Sequence, residues 1–172
     1  MIRHLLAALT LAIGVIAQTA VASSPASASL DLVICPAYLN TTYTPGLTFT
    51  ERPTSFNTSG ALGPCVSSDL THTSGTYTAE GNGSLSCVGG STTGSGQIAW
   101  NGNRHSDFTF TGAISLRPSG ETVLVITGTI TSGDYTGHTL TEVIVLATTQ
   151  PTDCFTVSGL TSVSGPLVFT IT

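Results

Sequence analysis

Residues 107–117, DFTFTGAISLR, decide the fold class. Phe108, Phe110, Ile114 and Leu116 fall on one face, with Thr109, Thr111, Ala113 and Ser115 on the other. A period of two belongs to a strand with one buried side. Threonine holds the place that charge would take on the outer face, because its branched side chain suits a pleated, half-buried surface. Toward the C-terminus, Pro118-Ser119-Gly120 makes a turn. Glu121 to Thr131 then sets Leu124, Ile126 and Ile130 against Val123 and Val125. Ser132 to Gly137 turns again, and His138 to Thr148 sets Leu140, Ile144 and Leu146 against Val143 and Val145. Pro151 breaks the next connection, and Cys154 to Val157 and Leu167 to Thr172 read as closing strands.

Toward the N-terminus the strand signals are weaker. Ser95 to Asn101 is a strand, and Asn101-Gly102-Asn103 turns the chain into residue 107. Gly75 to Ala79 and Ser84 to Val88 read as two strands joined across Gly81-Asn82-Gly83, since Asn-Gly suits tight hairpin turns. Arg52 to Pro64 is rich in Pro, Ser, Asn and Gly and reads as a long loop. Tyr43 to Thr50 contains a turn at Pro45-Gly46, and Leu30 to Cys35 is a short strand stopped by Pro36. No stretch keeps a 3.6-residue period. The expectation is an all-β, antiparallel β-sandwich or barrel with Gly-rich turns and two disulfides.

The first 28 residues read as a secretory signal peptide. Arg3 and His4 form the basic head, Leu5 to Ala17 the apolar run, and Ala20-Val21-Ala22 and Ala26-Ser27-Ala28 the small-residue exits. Residues 29–172 are then one exported β-domain. Ile34 ahead of Cys35 does not make a lipidation site, and the C-terminal Leu167 to Thr172 does not make an anchor, so release outside the cell is expected. Net charge is −5, there is no lysine, and the arginines beyond residue 28 are Arg52, Arg104 and Arg117. Such a surface cannot release counterions from nucleic acid or attract anionic lipid. Four cysteines in an exported chain imply two bridges, and of three pairings Cys35–Cys65 with Cys87–Cys154 is expected. No cysteine pair has metal-ligand spacing and the histidines are scattered, so neither metal nor other cofactor is expected.

The order Tyr43-x-Pro45-Gly46-Leu47-Thr48, Cys65, Cys87, Gly94-x-Gly96-x-Ile98-x-Trp100-Asn101, Phe108-x-Phe110, Thr127 to Gly137 and Cys154 resembles a group of small secreted proteins of actinobacteria. The resemblance implies exported β-structure with two disulfides and carries no catalytic residue.

Four residues are candidates for ligand contact: Trp100, Tyr135, His105 and Asp107. His105 and Asp107 share one face of a strand and can meet as base and carboxylate. Asp134 and His138 bracket Tyr135 in a turn. Trp100 reads as core, and no residue is assigned a catalytic role. Glu142 shares a face with Leu140, Ile144 and Leu146. On a core face it needs a partner such as Arg104 or Arg117, and the reading adopted puts that face outward. Asn40, Asn57 and Asn82 head glycosylation-type triplets that read as chance in Thr-rich text. The expected function is an extracellular binding or structural protein without enzymatic activity, its partner a small molecule, glycan or protein. Alternatives are a small-molecule carrier with an apolar cavity, a hydrolase, or a protease inhibitor acting through Arg52 to Pro64.

Overall fold

The computed structural model describes residues 32–116, 122–146 and 152–172. The signal-peptide motifs, Arg117, the Pro118-Ser119-Gly120 turn and Pro151 lie outside the described residues. The strands are β1 (Val33–Leu47), β2 (Arg52–Leu62), β3 (Val66–Ser67), β4 (Gly75–Leu85), β5 (Gly89–Trp100), β6 (Arg104–Leu116), β7 (Thr122–Gly133), β8 (Thr139–Leu146) and β9 (Leu160–Ile171). All pairings are antiparallel, in the order β2-β4-β5-β6-β7-β8-β9-β1, and β1 also pairs with β2. That last pairing closes an eight-stranded up-and-down barrel, with β3 as a short flap on the end of β1. Of sandwich and barrel, the chain forms the barrel.

The expected faces of β6 are the observed ones: Phe108 and Phe110 are buried while Thr109, Thr111 and Ala113 are exposed. Inside, Tyr77, Phe108, Phe169, Ile98, Leu140 and Ile171 are the bulk of the packing, with Tyr77 5.5 Å from Phe108 by ring centroids. The outer wall is mostly hydroxyl, and its apolar residues include one register row of Val125, Val143, Val168 and Pro36 across β7, β8, β9 and β1.

Five readings of local sequence are corrected. Arg52 to Pro64 is not a loop. Arg52–Leu62 is β2, paired residue for residue with β4, and its inward positions Thr54, Phe56, Thr58 and Leu62 are buried. Two of those four are threonines, which hid the alternation. Gly81-Asn82-Gly83 is no turn either, because β4 runs straight through it and pairs with β5 throughout. A Cβ on Gly81 would meet Phe56 Cζ at 2.7 Å, so this glycine makes room for a ring inside the barrel. Pro36 does not stop β1. It lies in the gap between the β3 pairing at Ile34 and the β2 pairing at Ala37, where a missing N–H removes no ladder bond. Pro45-Gly46 sits within β1, where the β9 register shifts between Thr42 and Leu47, a bulge in place of a turn. Cys154 to Val157 is likewise no strand: Asp153–Phe155 is a single 3-10 turn.

Both disulfides pair as expected, Cys35–Cys65 and Cys87–Cys154. The first ties β1 to the segment ahead of β3 at one rim, called here the base. The second ties the β4–β5 turn to the 3-10 turn at the opposite rim.

Candidate binding sites

The base rim gathers a cluster of titratable side chains, Asp69, His72, Arg104, Asp134, Tyr135 and His138. The segment after β3 folds back over it and buries His72. Asp69 Oδ2 lies 2.6 Å from His72 Nδ1, and Asp134 Oδ2 lies 2.8 Å from His72 Nε2. The Tyr135 hydroxyl donates to Asp69 Oδ2 over 2.9 Å and sits 2.7 Å from His72 Nδ1. Trp100 packs edge-on to His72 at 5.1 Å, and its Nε1 donates to Ser106 Oγ, which in turn donates to the Asp134 carbonyl. Arg104 donates to the Thr71 hydroxyl. Tyr135 holds a left-handed backbone, φ 64°, within the β7–β8 turn, which aims its ring back under the barrel.

Two of the four candidate contact residues, Trp100 and Tyr135, thus meet in one network. His105 and Asp107 share a face as expected, with Nε2 and Oδ2 3.8 Å apart, but on the outer wall. Ser132 and Gln97 donate to Asp107 and hold its carboxyl below the usual range. Asp69 and His72, the centre of the network, were not singled out in the sequence. They lie more than sixty residues from Asp134, and only the D-x-x-H spacing inside one loop hints at them. Burial alone would raise the Asp69 carboxyl, yet donors from the Thr71 amide, Ser67, Tyr135 and His72 outweigh it and hold it well below the usual range. Both ring nitrogens of His72 are occupied by carboxyl groups, Nδ1 by Asp69 and Nε2 by Asp134, so neither faces a substrate. The cluster borders an open depression of about 380 Å³. Its chemistry is that of a clamp joining the β3–β4 segment to the β7–β8 turn.

Inside the barrel, Glu142 overturns the reading that placed it outward. The Leu140–Glu142–Ile144 face is the interior, and Glu142 is 0% exposed. Neither carboxyl oxygen has a hydrogen-bond partner, and Arg104 lies at the base in contact with Thr71. Burial pushes the carboxyl up to about 7, opposed by the Tyr77 hydroxyl that faces it without reaching hydrogen-bonding geometry. Beside it is a cavity of about 30 Å³, whose polar lining includes Thr41, Tyr43, Thr58 and Tyr77. The expected apolar carrier cavity is therefore small and carries an acid.

The outer wall holds an open trough of about 990 Å³ crossing β2, β4, β5, β6 and β7 to Thr139 of β8. Register explains its form. Ser55, Asn82, Thr93, Thr111 and Thr127 lie opposite one another in one row, and Asn57, Glu80, Ser95, Thr109, Thr129 and Thr139 in a second. Between them run Phe56, Gly81, Gly94, Phe110 and Gly128, whose inward or absent side chains leave bare backbone as the floor. Adjacent strands are ~4.8 Å apart and i, i+2 residues ~6.8 Å apart, so the trough is roughly 24 Å long between rows about 7 Å apart. Glu80 is its one charged side chain. No family model, curated protein or solved structure matches the chain.

Proposed function

We propose that this chain is an exported, non-enzymatic binding protein, and that the outer trough is its contact surface for an uncharged, hydroxyl-rich chain molecule, a neutral glycan. The observation that carries the reading is the pair of parallel rows of hydroxyl and amide side chains flanking a bare backbone floor. Each row offers donors and acceptors at strand spacing without net charge beyond Glu80, which suits a ligand that is itself neutral and richly hydroxylated. Two disulfides and the signal-peptide reading of residues 1–28 support export.

The rival readings are less well supported. Glycoside hydrolysis needs two facing acids, and the trough has Glu80 alone. An inhibitor loop over Arg52 to Pro64 is less well supported, because Arg52–Leu62 is a strand paired with β1 and β4. Carriers of drug-sized ligands have pockets of about 300–1,000 Å³, far above the roughly 30 Å³ beside Glu142.

The test is sedimentation of the purified protein with insoluble neutral polysaccharides, with a charged polysaccharide for comparison. Retention on a neutral polymer, reduced at least tenfold by Thr93→Ala, Thr109→Ala and Thr127→Ala combined, is the expected result. Equal retention of the triple variant, or none on any neutral polymer, sinks the proposal.

A further inference from the structure

The interior of the barrel contains an acid with no basic counterpart among the described residues. The carboxyl of Glu142 is wholly enclosed, both its oxygens lack a partner, and it borders a cavity of about 30 Å³. The other titratable groups on that cavity are Tyr43 and Tyr77. The chain has no lysine. Arg52 donates to the Gly46 carbonyl and Arg104 to Thr71, so neither reaches the interior acid. Buried charges are ordinarily paired, and among the described residues no basic side chain pairs with this carboxyl.

We propose that the cavity is a binding site for a compact ammonium-type cation, ammonium itself or methylammonium, with Glu142 as its counter-ion. Size sets the upper limit. One water needs about 10–15 Å³ on this measure, so about 30 Å³ admits roughly two heavy atoms. Chemistry sets the class. A carboxylate with two empty acceptors calls for a donor with positive charge, and the hydroxyl oxygens of Tyr77, Thr41 and Thr58 offer further acceptors to its remaining N–H groups. A second void of about 20 Å³ shares Leu39, Thr41, Tyr43, Leu124 and Ile144 with the first and extends it toward Gly165 of β9. A Cβ at Gly165 would meet nothing within 4 Å, so there is open space beside this glycine. The site is independent of the outer trough.

Thermal melts of the purified protein at pH 8 in ammonium, methylammonium, potassium and tetramethylammonium chlorides at equal ionic strength test it. Ammonium and methylammonium are expected to raise the midpoint by about 3 °C or more over the other two, because a ligand of the native state alone adds stability. The increment should vanish in Glu142→Gln, which keeps shape and removes the charge. A bound resonance of ¹⁵N-labelled ammonium, present in the wild type and absent in Glu142→Gln, is the second expected readout. Equal midpoints in all four salts mean that the cavity holds water only and overturn the proposal. So does equal stabilisation by potassium, or an unchanged increment in Glu142→Gln.

Discussion

Glu142 and Asp69 respond to pH in opposite directions, and each sign follows from its surroundings. The Glu142 carboxyl rises from 4.5 in the unfolded chain to about 7 in the barrel, so between those values the unfolded chain ionises first. Stability therefore falls as pH rises from 4.5 to about 7, by about 3 kcal/mol in all, and stays lowered above. Asp69 is depressed from 3.8 by its donors. Its contribution is complete above 3.8 and is lost as pH falls below that value. These two groups together favour maximal stability between 3.8 and 4.5. In low salt free of ammonium, urea midpoints measured across pH 3 to 9 should show the neutral-side decline in the wild type and not in Glu142→Gln. Asp69→Asn should weaken the acid-side decline and leave the neutral side unchanged. A wild-type profile flat from 4.5 to 7 would contradict the burial argument. Glu142 itself was legible in part: Leu140 and Ile144 at ±2 mark an inward face, and only the rule that charge lies outside argued otherwise.

Among the elements, the strands easiest to read were those whose inward residues are apolar. β6 and β7 show Phe108, Phe110, Ile126 and Ile130 at a period of two. β2 and β4 were illegible for one shared reason. Their inward positions include Thr54, Thr58, Gly81 and Gly83, and the bulk that fills the space comes from Phe56 and from neighbouring strands. No single-strand pattern reports a cavity filled from next door. Gly81→Val should therefore cost about 1–3 kcal/mol by overpacking, since its new side chain would meet Phe56 and the Thr93 carbonyl. Gly165→Ala meets open space and should stabilise by about 0.5–1 kcal/mol, chiefly through the unfolded state. Denaturant melts of the two variants decide both, and equal effects would show that the interior contacts at Gly81 do not matter. The base network was legible only piecemeal, because Asp69 and His72 come from the β3–β4 segment, Tyr135 from the β7–β8 turn and Trp100 from a strand end. Topology alone brings them together.

For the whole molecule, stability rests on closure and on the two bridges. The Cys87–Cys154 bridge spans 67 residues and ties the rim opposite the base. Its removal by Cys87→Ala with Cys154→Ala should lower stability by about 2–5 kcal/mol while the barrel remains antiparallel and closed. Urea unfolding followed by far-ultraviolet circular dichroism checks the magnitude, and unchanged midpoints would show that the second rim is held by its strands alone. Closure has a topological corollary. Val33 lies opposite Ile171 across the β1–β9 ladder, so the first and last strands are neighbours and both ends of the barrel's chain reach the same rim. The cylinder accordingly has no privileged seam. A permuted chain that links Thr172 to Leu32 through a few glycines and opens at Gly102, whose surroundings are empty, would retain every rung of the ladder. The order in which the strands are written is thus separable from the object they enclose.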